Sequence, residues 1–172
     1  MKNKSSIFNI SFVNVSMNEA SMWTGGLRID RAGGLLKNFV FSDNKALVCG
    51  GFFDYTWFPQ NRTCSFCIWR NNSAITRGGG VTHFHIRQVS TYINCIFIGN
   101  HCEKHPNSIS VQSYETHITL SQCWFSGEKD KEIGMNFEGQ SFFHINDTQF
   151  QVLNSKINEE LKIINSYFQQ VI

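Results

Sequence analysis

Two cysteines in the middle of the chain have the spacing of a redox or zinc half-site. They are the first and last residues of the tetrapeptide Cys64–Cys67. A Cys-x-x-Cys pair can form a reducible disulfide or supply two thiolates to zinc. A four-cysteine zinc site needs a second such pair, which the sequence lacks. Cys67 instead recurs at a fixed period as Cys95 and Cys123, as small apolar side chains do in a repeating core. The pattern favours buried free thiols, and we predict no cofactor.

Two histidine groups could bind a metal. In the segment His101–His105 the histidines are four residues apart with a cysteine between them, but Pro106 follows and favours a surface loop over a helix. His83 and His85 flank Phe84 on a predicted strand, so both imidazoles share one face. We expect Phe84 and Ile86 to point inward, which leaves both histidines facing solvent. We therefore predict no metal site.

An enzyme would need two acidic side chains placed to act together, and the candidates are Asp30 and Asp54. Both follow glycine pairs in successive repeats, but their offsets from the glycines differ by one residue. A one-residue offset turns strand side chains to opposite faces, whereas glycoside hydrolysis needs two carboxylates about 5–9.5 Å apart. The sequence therefore favours a non-enzymatic protein, with a carbohydrate-active enzyme as the alternative.

The cysteines, histidines and carboxylates discussed above lie within a sequence repeat that determines their positions. An aromatic residue recurs at steps of 28 or 29 residues over the first five positions and at shorter steps afterwards, which is typical of solenoid architectures. We expect these aromatic side chains to stack inside the protein together with the cysteine column. The positions are Phe12, Phe41, Trp69, Phe97, Phe125, Phe150 and Phe168.

Asparagine or a related residue recurs three positions before most of these aromatics. Asparagine tolerates the left-handed backbone conformation, so this column predicts a bend in every coil. Its stacked amides could also form hydrogen bonds between coils. The column contains Asn9, Asn38, Asn94 and Asn165, with Phe66, Gln122 and Asp147 in the remaining repeats.

Glycine clusters such as Gly50-Gly51 open further short strands, giving about three strands in each coil. The fold class is therefore all-β, a parallel β-solenoid of about seven coils that spans residues 1–172 as one domain. A leucine-rich repeat is the rival architecture, but its Leu-x-x-Leu-x-Leu frame is absent.

The aromatic stretch after Gly51 is longer than one strand of the repeat needs before the next coil begins. It could be an exposed interaction loop, or it could pack against the outside of the solenoid. Its candidate residues are Phe53, Tyr55, Trp57 and Phe58.

Composition excludes some partners. The net charge of +2 is small and scattered, which argues against nucleic acid, and no apolar run is long enough to span a bilayer. Six Asn-x-Ser/Thr sequons hint at secretion, although an asparagine-rich chain produces several by chance. The basic start at Met1 is not followed by the apolar core of a signal peptide.

The tetrapeptides Phe41–Asn44, Trp69–Asn72 and Phe97–Asn100, with the glycine pairs between them, resemble the polymorphic outer-membrane protein repeat. That family alternates Phe-x-x-Asn with Gly-Gly-Ala-Ile, and occurs in bacterial and protist surface proteins. The resemblance implies a right-handed, pectin-lyase-like β-helix displayed at cell surfaces, often in adhesion. Here the second motif departs from the pattern, for example as Gly-Gly-Phe-Phe.

Together these features predict a non-enzymatic repeat segment of a cell-surface or extracellular protein that recognises a protein or glycan. We expect it to be a fragment of a longer solenoid, because neither end carries an evident polar cap, and uncapped ends promote end-to-end association.

Overall fold

A computed structural model describes residues 6–56, 59–84, 88–112, 115–135 and 141–150. Across these residues the chain winds into a parallel β-solenoid of about five turns. The all-β, parallel solenoid architecture predicted from the repeat is therefore confirmed. The predicted number of seven coils is not, and the coil expected around Phe168 lies outside the described residues.

The described residues form nineteen strands and one short helix, α1 (Lys129–Glu132). In chain order the strands are β1 (Ser6–Ser16), β2 (Glu19–Ala20), β3 (Leu27–Asp30), β4 (Ala32–Ser42), β5 (Lys45–Ala46), β6 (Phe52–Tyr55), β7 (Gln60–Ser65), β8 (Ile68–Arg70), β9 (Ser73–Ala74), β10 (Val81–Phe84), β11 (Gln88–Ile93), β12 (Ile96–Ile98), β13 (His101–Cys102), β14 (Ile109–Gln112), β15 (His117–Ser121), β16 (Trp124–Phe125), β17 (Ile133–Met135), β18 (Phe142–Asn146) and β19 (Gln149–Phe150).

The strands stack into three parallel sheets that form the sides of the solenoid. The first sheet has two legs, with order β1-β4-β7-β11-β15-β18 along one leg and β4-β8-β12-β16-β19 along the other. The second sheet has order β3-β6-β10-β14-β17, and the third, with two-residue strands, has order β2-β5-β9-β13. Each inner strand therefore pairs with its equivalent one coil before and one coil after, and strands at the ends of the sheets pair on one side.

A left-handed residue bends the chain between the two legs of the first sheet in every coil. The predicted bend column is confirmed at Asn38 and Asn94, whose φ angles are 54° and 51°, while Asn165 lies outside the described residues. A second left-handed column, two residues after the stacked aromatics, turns the chain towards the third sheet. Its members are Met17, Asp43, Asn71 and Gly99.

The prediction for the first coil is wrong. In the pairing of β1 with β4, Val13 lies beside Phe39 and Val15 beside Phe41. Phe12 therefore occupies the bend column, with φ of 60° and 58% of its surface exposed, and does not join the aromatic stack. Asn9 is correspondingly not a bend residue but an exposed strand residue of β1.

The remaining predicted aromatics form one continuous stack in the core. Trp69 lies 4.7 Å from Phe97 and Phe97 lies 4.5 Å from Phe125, measured between ring centroids, with interplanar angles of 4° and 2°. Phe41 and Phe150 extend the stack at its two ends, at 5.3 Å and 4.6 Å from their neighbours. Phe41, Trp69, Phe97 and Phe125 are completely buried. Offset parallel rings at this spacing add about 0.5–1.5 kcal/mol per pair to the free energy of burial.

Candidate functional site

A polar network crosses the interior of the solenoid between the first and second sheets. β6 and β10 supply Asp54 and His83, and the facing strands β7 and β11 supply Arg62, Gln88 and Tyr92. All five side chains are buried, with at most 2% of their surface exposed. Because burying charge is costly unless it is paired, this network is the most conspicuous departure from an apolar core.

Arg62 and Asp54 form the charged pair of the network. A guanidinium nitrogen of Arg62, Nη1, contacts Asp54 Oδ1, and its Nη2 donates to the carbonyl of Ala32. The rings of Phe8 and Phe52 lie 5.6 Å from the guanidinium carbon. Burial lowers the pKa of Arg62 to about 10, which leaves it charged at neutral pH.

His83 connects the carboxylate to a tyrosine. Its Nδ1 lies 3.4 Å from Asp54 Oδ2 and 3.2 Å from Gln88 Oε1, and its Nε2 lies 2.8 Å from the hydroxyl of Tyr92. Burial, and then the charge of Arg62, lower the pKa of His83 to about 3. We assign a neutral imidazole that donates a hydrogen bond from Nδ1 and accepts one at Nε2 from the Tyr92 hydroxyl, which keeps its proton. Burial raises the pKa of Tyr92 well above its usual value, which keeps this proton in place.

A hydrogen-bonded chain of Asp, His and Tyr side chains is able to transfer protons, as in general acid–base catalysis. Such a role requires a substrate within hydrogen-bond reach of the relay, whereas His83, Asp54 and Tyr92 each have 0% of their surface exposed. The network therefore fits a structural role, in which it fixes the register between two sheets.

The position of His83 contradicts the prediction that it faces solvent. β10 pairs with β6 so that His83 lies beside Asp54 and Phe84 lies beside Tyr55. Phe84 therefore points outward, where the guanidinium carbon of Arg77 lies 3.9 Å from its ring centroid. Strand alternation places neighbouring side chains on opposite faces, but which face is internal depends on partner strands. His85 lies outside the described residues.

The opposite orientation predicted for Asp30 and Asp54 is confirmed. Asp54 pairs in register with Ile29, whereas Asp30 pairs with Tyr55. Asp54 is internal, and Asp30 is half exposed and binds Arg28 through both carboxylate oxygens at 2.7 and 3.1 Å. The two carboxylates therefore do not act on a common substrate.

An asparagine ladder, different from the predicted one, runs through the interior corner of the solenoid. It consists of the last residues of the aromatic-x-x-Asn tetrapeptides, Asn44, Asn72 and Asn100, preceded by Asn18. In each step Nδ2 of one asparagine donates to Oδ1 of the next at 2.9–3.0 Å. The backbone amide of the first asparagine donates to the same oxygen at 3.1–3.2 Å.

Three of the four side-chain amides form a further hydrogen bond from Nδ2. Nδ2 of Asn44, Asn72 and Asn100 donates to the carbonyl of Val15, Phe41 and Trp69, one coil earlier. The ladder ends where Asn100 donates to Ser108 Oγ, which in turn donates to a carboxylate oxygen of Glu132. The sequence contained the signal in the Phe-x-x-Asn spacing, but a hydrogen-bond role was assigned to the bend column.

The predicted cysteine column is internal. Cys67, Cys95 and Cys123 are buried free thiols, and each sulfur lies 3.4–3.5 Å from a backbone carbonyl of the preceding coil. Burial raises the pKa of Cys95 and of Cys64 well above the usual thiol value. Hydrogen bonds with Cys95 lower the pKa of Cys67 and Cys123. These thiols are packed as small side chains away from solvent.

The outer surface of the second sheet carries a cluster that we call the outer aromatic patch. It is built around Arg28, whose guanidinium carbon lies 5.2–5.5 Å from three ring centroids. These rings belong to Trp23, Phe53 and Tyr55, and Phe84 lies 5.9 Å from Tyr55. Trp23 is 42% exposed, whereas Phe53 is completely buried beneath it. The patch comprises Trp23, Arg28, Phe53, Tyr55, Arg77 and Phe84.

This patch revises the predicted interaction loop. Phe53 forms the floor of the patch, packed with Val48 and Cys49, so it cannot contact a partner directly. Tyr55 is half-buried in the patch, and Trp57 and Phe58 lie outside the described residues. Sequence reasoning missed Trp23, because it stands one coil earlier in a segment without periodic signal.

The surface of the described residues also carries shallow depressions, two of which lie near sequence-predicted residues. One, of about 410 Å³, runs over the third sheet beside the outward column of Glu19, Lys45, Ser73 and His101. The other, of about 480 Å³, lies beside the His101–His105 segment. Within the described ranges, no three His, Cys, Asp or Glu side chains come together as metal ligands.

Comparisons with known proteins identify no relative. No protein-family profile, curated protein or solved structure matches this chain. Among the residues that the structure describes, no helix is long and apolar enough to cross a membrane.

Proposed function

We propose that this chain is a non-enzymatic segment of a right-handed, pectin-lyase-like β-helix in a cell-surface or secreted protein. In this proposal it recognises a partner protein through the outer aromatic patch. The observation that carries the proposal is the grouping of Trp23, Arg28 and Tyr55 on one solvent-facing surface. Tryptophan, tyrosine and arginine are the residues most enriched at the energetic centres of protein interfaces.

The membership suggested by the tetrapeptides gains support from what their residues do. The aromatic residue enters the core stack and the asparagine enters the amide ladder, so both ends of Phe-x-x-Asn have a repeated structural role. Glycine pairs are also required, because a Cβ at Gly51 would lie 2.5 Å from the carbonyl oxygen of Gly80. These roles support the polymorphic outer-membrane protein type of repeat.

A general preference of protein folds supports the right-handed form. Connections between parallel strands of one sheet are right-handed in about 98% of cases. Each coil of this chain makes such a connection, for example from β6 to β10.

A carbohydrate-active enzyme is the alternative function that the sequence left open. Its acid and base must reach a bound sugar. Asp54 lies in the core and Asp30 is held by Arg28. These two positions favour recognition over hydrolysis.

Selection of a phage-displayed random peptide library on the immobilised chain tests the proposal without a known partner. We expect the selected peptides to lose at least tenfold in affinity for a Trp23→Ala/Tyr55→Ala variant. The matched control is Leu47→Ala/Ile75→Ala, which removes two apolar side chains of similar exposure, 38% and 40%, outside the patch. The control variant should bind the same peptides as the unchanged chain.

Peptides that bind both variants equally would contradict the proposal, because the selected site would lie elsewhere. A parallel glycan-array measurement separates the two partner classes. Glycan binding that depends on Trp23 and Tyr55, without peptide binding, would show that the partner class is wrong.

A further inference from the structure

The asparagines in Asn-x-Ser/Thr sequons share one structural property. Six sequons occur in the sequence, and five of their asparagines lie in the described residues. All five are exposed. They are Asn9, Asn14, Asn61, Asn71 and Asn146, and the sixth, Asn3, lies outside the described residues.

The seven described asparagines outside sequons are placed differently. Only Asn18 among them is exposed, and the other six are buried or half-buried. The buried ones are the ladder residues Asn44, Asn72 and Asn100. Chance sequons in an asparagine-rich chain would fall on buried and exposed asparagines alike, so this separation argues against chance.

The exposed sequons also share one side of the solenoid. Asn9 and Asn14 lie in β1, Asn61 in β7 and Asn146 at the end of β18, while Asn71 directly follows β8. All of these positions belong to the first sheet or to the bend that ends it. The outer aromatic patch lies on the second sheet, which carries none of the five described sequon asparagines.

We infer that Asn9, Asn14, Asn61, Asn71 and Asn146 are N-glycosylation sites, whose glycans cover the first sheet and leave the second open. The donor is an oligosaccharide bound to a lipid diphosphate. The asparagine Nδ2 forms a bond to the anomeric carbon of the first sugar, and the bond from that carbon to the phosphate oxygen breaks. Lipid diphosphate leaves, the displaced amide proton passes to solvent, and no redox change occurs.

The hydrogen bonding of each asparagine shows why the fold tolerates a glycan at some positions only. A glycosylated Nδ2 keeps one N–H, and a bulky glycan must remain in solvent after folding. Asn71 uses one Nδ2 proton, in an exposed bond of 3.3 Å to Asp43 Oδ1. Asn44 uses both Nδ2 protons inside the core, towards Val15 and Asn72.

The test is secretion of the full chain, behind a cleavable signal peptide, from a eukaryotic cell line. Peptide-N-glycosidase treatment in ¹⁸O-water converts each glycosylated asparagine into labelled aspartate, so mass spectrometry measures occupancy at each site. We expect occupancy above half at all five asparagines in a folded chain. A folded, secreted chain with most of these sites empty would overturn the inference.

A single substitution provides the matched control. Ala46→Ser turns Asn44, with 0% of its surface exposed, into a sequon. We expect the secreted yield of this variant to fall at least fivefold, while the same variant made unglycosylated in bacteria melts within a few degrees of the unchanged chain. Normal secretion with a glycan on Asn44 would break the link between sequon and exposure.

The inference concerns modification and can fail separately from the proposed recognition. Occupancy is measured without any partner. A chain with all five asparagines changed to glutamine, made in bacteria, should still bind the peptides selected on the outer aromatic patch, because the patch and the sequons lie on different sheets.

Discussion

Asn44 donates a hydrogen bond from Nδ2 to Oδ1 of Asn72 over 2.9 Å, although the two residues are 28 positions apart. The same interval separates Phe41 from Trp69, whose rings stack at 5.3 Å. One coil length therefore aligns an apolar column and a polar column at once. Asn18 makes the same bond to Asn44 across only 26 residues, and Val15, three residues before Asn18, pairs with Phe41. The three-residue interval between the two columns is therefore kept where the coil length changes.

The ladder should stabilise the fold measurably. Asn72→Ala removes two donated bonds and leaves the buried backbone amide and Nδ2 of Asn44 without their acceptor. We expect it to lower the free energy of unfolding by about 2–4 kcal/mol. Urea denaturation of the chain produced in bacteria measures this, and Asn61→Ala, at an exposed asparagine, should change it by less than about 0.5 kcal/mol. Equal losses at the two positions would contradict the role of the ladder.

The aromatic stack should respond in the opposite way at Phe97 and Phe12. Phe97→Ala leaves a cavity between two stacked rings and should cost about 3–5 kcal/mol. Phe12→Asn should be neutral or slightly stabilising, because Phe12 is exposed in a left-handed conformation that asparagine tolerates better. Melting temperatures of both variants check this, and a large loss at Phe12 would return it to the core.

The parallel solenoid could be predicted from the sequence because an aromatic residue at nearly constant spacing reports the coil length directly. The prediction was wrong in the first coil, where Val15 occupies the stack position and Phe12 occupies the bend. A local pattern cannot distinguish these, since a phenylalanine three residues away imitates the expected spacing. Strand pairing with β4 decides the register.

The interior polar network could not be predicted from the sequence for a similar reason. Alternation along Val81–Phe84 defines two faces but does not say which is internal. That choice depends on the pairing of His83 with Asp54 and on Arg62, which faces Asp54 from another sheet. Only contacts between residues distant in sequence therefore reveal that a histidine replaces an apolar residue in the core.

The six cysteines should react as buried free thiols. Cys67, Cys95 and Cys123 directly precede the neighbouring parallel strands β8, β12 and β16. At strand spacing their Cβ atoms are about 4.8 Å apart, beyond the ~3.8 Å preferred by a disulfide. We expect slow reaction with iodoacetamide in the folded chain and alkylation of all six thiols after unfolding. Intact mass spectrometry measures both states, and a bridge between any two of these three cysteines would refute the prediction.

End-to-end association stays a prediction. In the described residues β1 pairs only with β4, so its other edge can template a further strand, and Ile7 and Phe12 are 84% and 58% exposed there. We expect sedimentation to show oligomers at tens of micromolar, which Ile7→Lys and Phe12→Lys reduce because charged edges resist pairing. Val89→Lys, at an exposed valine of an inner coil, should not reduce them. A monomer of the unchanged chain at that concentration would contradict the prediction.

The buried imidazole of His83 should make stability depend on pH in a defined window. Its pKa is about 3 in the folded chain and about 6.5 when unfolded, so between these values the unfolded chain binds one more proton. Stability from the neutral imidazole is therefore complete above pH 6.5 and falls as the pH decreases towards 3, by at most about 1.4 kcal/mol per pH unit.

Urea denaturation at pH 7.5, 6 and 5 should show a smaller pH slope of the unfolding free energy for His83→Gln than for the unchanged chain. His101→Gln, at an exposed histidine, should keep the original slope, and an unchanged slope in His83→Gln would mean that the buried imidazole is not the titrating group.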